Sequence, residues 1–194
     1  MSQEEIARKR EKNNRIIVII LGLIMLLSSA GYFATDYSSN KSSKIIYNSI
    51  EFKQDSNGYW NFETKEGNFK TFYNPEQTQT IKLEITSSIL NLTEKNLYID
   101  VGNRESYSSE IVNEISNNLK GLVSKISPAC VDASCQENYA IKNCSEDNII
   151  RFNLVSENSS SQVLAKENCV VLNYRNNESA MVADAFLFRM LGLQ

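Results

Sequence analysis

No histidine occurs anywhere in the 194 residues. That absence excludes Ser-His-Asp and Cys-His nucleophilic catalysis, His-ligated zinc and imidazole-based pH switching, and leaves carboxylate and lysine chemistry. Positive charge is also short, with 20 Lys plus Arg against 23 Asp plus Glu. The basic residues Arg8, Lys9, Arg10, Lys12 and Arg15 crowd the first fifteen positions, so the remainder is mildly acidic. An acidic surface has little to offer a phosphate backbone, and nucleic acid is excluded as a partner. Glycine numbers only 7. The turn Gly102-Asn103-Arg104-Glu105 carries one of them, which makes no phosphate-binding loop. No EF-hand spacing occurs, and no metal or cofactor is implied.

What is present in quantity is an uncharged apolar run, Ile16–Ala34. At about 1.5 Å of rise per residue such a run crosses the roughly 30 Å hydrocarbon core as a helix. Tyr32 and Phe33 fall where it leaves the hydrocarbon. The basic cluster before the run, with only Lys41 soon after it, places the N-terminus in the cytoplasm and the rest outside. The chain therefore reads as a cytoplasmic tail (1–15), a transmembrane helix (16–35), a Ser-rich stalk (36–44) and one extracytoplasmic domain (45–194). Ser28-Ser29-Ala30 also fits a signal-peptide cleavage site, and cleavage there would release the domain. No cysteine lies near the run, so a lipoprotein anchor is excluded.

All four cysteines, Cys130, Cys135, Cys144 and Cys169, lie in the outer portion. An even count in an oxidising compartment reads as two disulfides. Of the three pairings, Cys130–Cys135 with Cys144–Cys169 is favoured. A four-thiolate zinc site lacks its paired C-x2-C knuckles. The sequons at Asn40, Asn91, Asn158 and Asn177 are candidate glycosylation sites. A fifth, Asn143, abuts Cys144, and the total is close to what chance supplies.

Period-two alternation begins at Ile45. Ile46, Ile50 and Phe52, then Trp60 and Phe62, then Phe69–Tyr73 predict a three-stranded meander with turns at Asp55–Gly58 and Lys65–Asn68. Trp60 and Phe62 share the core face, while Tyr59 and Tyr73 are candidate exposed binding aromatics. Thr80–Thr86 alternates as a further strand. Leu97–Val101 reads as a strand buried on both faces. Ile111, Ile115, Leu119, Leu122 and Ile126 predict a helix of about 18 residues, capped by Ser108 or Ser109 and stopped by Ser127-Pro128. Ile149–Val155 is a strand, Val163–Lys166 and Cys169–Tyr174 form a hairpin about Glu167-Asn168, and Ser179–Leu191 is an apolar helix. The fold class is α+β: a meander, then β-α-β-β-β-α with two helices packed on a mixed sheet.

Asp100, Asn103, Arg104 and Glu105 form a candidate ligand loop, because ligands of open α/β sheets bind beyond the carboxyl ends of strands. Asp184 is an acid in an apolar helix, expected to pair with Arg189 or another cation or to sit at the helix edge, as a structural carboxylate. Glu110 and Glu114, one helical turn apart, read as ordinary surface carboxylates.

The segments KIIYNSIEF, GYWNFET, FYNP and LYIDVG, the cluster Cys130/Cys135/Cys144, and ENCVVLNY leading to ADAFLFRMLGL resemble those of archaeal proteins of unknown function. These are small, single-pass, membrane-anchored extracytoplasmic proteins, and the likeness spans the ectodomain. It implies an anchored outer domain and brings no catalytic residue. A fainter similarity of layout links the chain to archaeal surface-layer and envelope domains, with their glycine-rich turn reduced to Gly102.

Three functions follow. The first is a non-enzymatic cell-envelope or surface-interaction domain, whose partner is another envelope protein or a glycan. The second is an envelope hydrolase using two carboxylates, and the third an accessory subunit of a membrane complex. Gly22 and Ser28–Gly31 would supply the small residues for helix packing in the third.

Overall fold

The computed structural model describes residues 19–21, 24–25, 43–85, 95–102, 109–131, 135 and 138–194. The chain divides into two compact units, Met1–Ser42 and Ser43–Gln194. In the first, the described residues are helical, and Ile19, Ile20, Leu21, Ile24 and Met25 are exposed. Among the described residues no helix is long and apolar enough to cross a membrane. The tail, most of the expected transmembrane segment and nearly all of the stalk lie outside them.

The second unit is α+β, rich in strand, with two sheets. The first sheet contains β1 (Lys44–Tyr47), β2 (Ile50–Gln54), β3 (Trp60–Thr64) and β4 (Gly67–Thr71), antiparallel and in chain order. Lys44, expected to end the stalk, opens β1. The expected three strands are four, because the first alternating stretch is itself a hairpin. Asn48 and Ser49 turn it, both in the left-handed region at φ 48° and 66°. A two-residue turn of that kind matches the twist of paired strands, and asparagine tolerates it. Its effect is to put Ile45, Tyr47, Ile50 and Phe52 on one face and leave Ile46 exposed. Ile46 therefore does not share a face with Ile50 and Phe52.

The second sheet is mixed, in the order β5 (Lys82–Glu84), β9 (Gln162–Lys166), β10 (Cys169–Tyr174), β8 (Asn148–Leu154), β6 (Asn96–Asp100), β7 (Lys125–Ala129). Only the β9–β10 pair is antiparallel, a hairpin turning at Glu167 with φ 56°. The meander thus builds a sheet of its own.

The first helix, α1, spans Ser109–Leu119. Eleven residues replace the expected eighteen. Apolar spacing carries on through Leu122 and Ile126, but the chain turns after Leu119 and enters β7, which holds Ile126, Ser127 and Pro128. Proline is tolerated there because β7 is an edge strand. Leu97 and Ile99 on β6 are buried, but Tyr98 and Asp100 between them are only half-buried. The expected burial on both faces is thus incomplete. Tyr98 instead lies under the Lys142 ammonium, 4.4 Å from its ring centre. On the same face Arg151 donates to Asp100 at 2.8 Å and Asn153 to Asn173 at 2.7 Å.

Helix α2 (Ser179–Met190) sits at the centre, with Val182 through Phe188 all buried. Phe188 meets Phe52 and Phe62 of the small sheet at ring-centre distances of 6.0 and 5.7 Å. The helix also packs against β5, β9 and β10 of the large sheet. Apolar residues all round α2 are what a helix between two sheets requires. The expectation that both helices lie on the mixed sheet holds for α2; the main neighbours of α1 are α2 and β4. Ile111, Ile115 and Leu119 form its buried stripe.

Two disulfides are present, Cys130–Cys135 and Cys144–Cys169, with Cα atoms 5.9 and 5.1 Å apart. The second ties the loop before β8 to the start of β10, where Cys169 pairs with Ile149.

Candidate functional site

A cleft of about 340 Å³ opens between the outer end of the small sheet and the exposed side of α1. Tyr59, Lys70 and Phe72 form one wall; Asn113, Glu114, Asn117 and Asn118 form the other. Strand parity selects the first set. Trp60, Phe62, Phe69 and Thr71 point into the core, so Tyr59, Lys70 and Phe72 must point away from it. Helical spacing selects the second, which flanks the Ile111–Ile115–Leu119 stripe.

The turn before β3 aims Tyr59. Asp55 Oδ1 accepts the backbone N–H of Asn57 at 2.9 Å and of Tyr59 at 3.0 Å, and Gly58 takes a positive φ of 87° between them. Asp55 Oδ2 accepts from Lys70 Nζ at 2.9 Å. The Lys70 ammonium and these N–H donors hold the Asp55 carboxyl down at about 2. Lys70 Nζ also lies 4.2 Å from the Tyr59 ring centre, and the Phe72 ring, just past the end of β4, lies 4.7 Å from it. The cation in this wall is thus neutralised by Asp55.

Asn118 closes the floor. Its Oδ1 accepts the Lys70 N–H at 3.0 Å, and its Nδ2 donates to the Lys70 carbonyl at 2.7 Å. One side-chain amide occupies the edge of β4 at Lys70 as a neighbouring strand would, and an added strand cannot pair there.

Behind the cleft lies an acid pair. Asp184 of α2 is 1 % exposed, and its carboxyl is hydrogen-bonded to that of Glu114. Asp184 Oδ2 also accepts the backbone N–H of Tyr73 at 2.8 Å. Burial first, then the Glu114 charge and the hydrogen bond to it, push the Asp184 carboxyl well above the usual carboxylate range; the N–H groups of Tyr73 and Phe72 oppose this. Two carboxyls in contact hold together best when they share a proton.

These residues correct three expectations. Asp184 is not paired with Arg189, whose Nη1 donates to the Gln194 carbonyl at 2.8 Å. Glu114 is a half-buried member of the acid pair, where a surface carboxylate was expected. The exposure expected of Tyr59 and Tyr73 is only partial, and Tyr73 contributes its backbone to Asp184. Of the candidate loop at the end of β6, only Asp100 is described. Its two oxygens accept from Gly102 N–H at 3.1 Å and Arg151 at 2.8 Å, which makes it a structural group. Asn103, Arg104 and Glu105 lie outside the described residues, as do Asn40 and Asn91. Asn158 and Asn177 are exposed in turns. Asn143 Oδ1 accepts the N–H groups of Ser145 and Glu146, both at 3.1 Å.

Sequence reasoning missed Asn113, Glu114, Asn117 and Asn118 as a group. The usable signal was the place of Glu114 beside the apolar stripe, one residue before Ile115, together with an acid in α2 that needed a partner. Among the described residues no cluster of His, Cys, Asp and Glu could hold a metal ion. No known protein family, curated protein or solved structure matches the chain.

Proposed function

We propose that the chain is a membrane-anchored, extracytoplasmic, non-enzymatic interaction domain, held in the cell membrane by Ile16–Ala34 with its N-terminus in the cytoplasm. The Tyr59–Asn117 cleft is its binding site. The observation that carries this reading is the cleft itself. It joins an aromatic wall to helix amides, with its one cation neutralised and its one acid braced from behind. The basic cluster before the apolar run and the disulfides support the location, since such bonds persist in oxidising compartments. The resemblance to archaeal membrane-anchored extracytoplasmic proteins of unknown function points to the same location.

An envelope hydrolase working with carboxylates from this cleft would have to use Glu114. Glycosidic hydrolysis by a carboxyl pair needs a separation of about 5–10 Å, with bond or water between the groups. Asp184 instead touches Glu114 directly and is shielded from the cleft. An accessory role in a membrane complex would act through Ile16–Ala34 and is compatible with a binding cleft.

Two measurements on the full-length chain in cells test this. A membrane-impermeant protease should reach the 43–194 unit in intact cells, and envelope preparations should bind the full chain saturably in nanodiscs. The double variant Asn113→Ala/Asn117→Ala should lose that binding. Protection of the domain from protease, or envelope binding indifferent to the double variant, would count against the reading.

A further inference from the structure

The side chains around the cleft differ in how many of their hydrogen bonds are already committed. Lys70 is engaged by Asp55 and lies over Tyr59, and Asn118 is spent on the edge of β4. The charge within reach of a ligand is therefore small, which disfavours phosphate and other anions. Asn113 and Asn117 remain, both exposed, one helical turn apart on the same face. Their amides stand roughly 5–6 Å apart at Cβ, and each offers donors and an acceptor together. Groups that both donate and accept suit ligand groups that do the same, such as hydroxyls. Tyr59 and Phe72 add an apolar wall for the carbon face of a ring.

The volume points the same way. About 340 Å³ lies at the small end for ligand sites and fits one or two rings, not an extended chain. A peptide adding itself to the sheet would need the β4 edge, and Asn118 already fills it at Lys70.

We infer that the ligand of this cleft is a neutral saccharide, seated between Tyr59/Phe72 and the Asn113/Asn117 amides. This rests on the proposed function and names the ligand class for its site. Both Glu114 carboxyl oxygens are buried on the Asp184 side, so the acid stands behind the wall and the amides meet the ligand. No bond is made or broken.

The test is saturation-transfer NMR on the full-length chain in nanodiscs, using neutral disaccharides and trisaccharides of hexose and N-acetylhexosamine as probes. Tripolyphosphate and spermidine serve as charged probes. At least one neutral saccharide should bind, about tenfold more weakly to Asn117→Ala and to Tyr59→Ala, with the thermal transition of both variants kept. Saccharide binding that both folded variants retain would place the sugar elsewhere and overturn the inference. Binding of a charged probe alone, lost in the same variants, would overturn the saccharide assignment while leaving the cleft as a binding site. No binding of any neutral probe, with envelope binding still dependent on Asn113 and Asn117, would do the same. Envelope binding indifferent to those residues would remove the proposed function as well.

Discussion

Asp184, buried in the central helix, is hydrogen-bonded through its carboxyl to the carboxyl of Glu114 on the neighbouring helix. The contact joins α2, α1 and, through Tyr73 N–H, the end of β4. Such a pair is held while it carries a proton, because two ionised carboxylates in contact repel. The folded-state value of Asp184 is raised above its unfolded one. Its contribution to stability is therefore complete below the ordinary carboxylate range and is lost as pH rises through the raised value. Asp184→Asn keeps the acceptor for Tyr73 and needs no proton. It should raise the melting temperature near neutral pH, with the gain shrinking toward about pH 4. Melting curves of both proteins across that range check this, and a gain that grows on acidification would refute it.

Asp184→Ala should behave differently. It leaves the part-buried Tyr73 N–H without its acceptor and should cost about 1–3 kcal/mol in urea unfolding near pH 4, the cost shrinking toward neutral pH as the acid pair loses its proton.

Asp55 titrates in the opposite sense. Its carboxyl is held at about 2, chiefly by Lys70, so the support it gives its turn is present above the ordinary carboxylate value and fades as pH falls toward that number. A carboxyl-detected NMR titration should find the low midpoint, and Lys70→Met should move it up. An unchanged midpoint would show that Lys70 does not hold it.

The two disulfides should contribute unequally. Cys144–Cys169 closes a separation of 25 residues and Cys130–Cys135 one of 5. Loop-closure entropy gives about 3.5 kcal/mol for the first and about 2 kcal/mol for the second. Paired serine variants compared by denaturant unfolding test the order, and a larger loss from the short loop would contradict it.

Much of the fold was legible in residues 45–194. Alternation and apolar runs located most strands but not β7, the Glu167-Asn168 turn located the β9–β10 hairpin, and the apolar circumference of α2 announced a buried helix. The failures have local causes. Asn48-Ser49 turns the chain without the glycine that usually marks such a hairpin, and Ile126 continues a helical period by coincidence. The site was less legible, because it forms where two elements meet. Asn118 gains its meaning only from Lys70, 48 residues away, and Glu114 only from Asp184, on another helix. Side chains on a polar helix face look alike in sequence until an edge strand is set against them.

The binding role of the cleft is tested most directly by a photo-crosslinking residue at exposed Lys120, three residues beyond Asn117, in the full-length chain expressed in its own cells, with the same residue at exposed Lys166 as control. Position 120 should give a discrete envelope-derived adduct, lost when Tyr59→Ala is added, and position 166 should not. Equal labelling at both positions, or an adduct at 120 that Tyr59→Ala leaves intact, would contradict a ligand in the cleft.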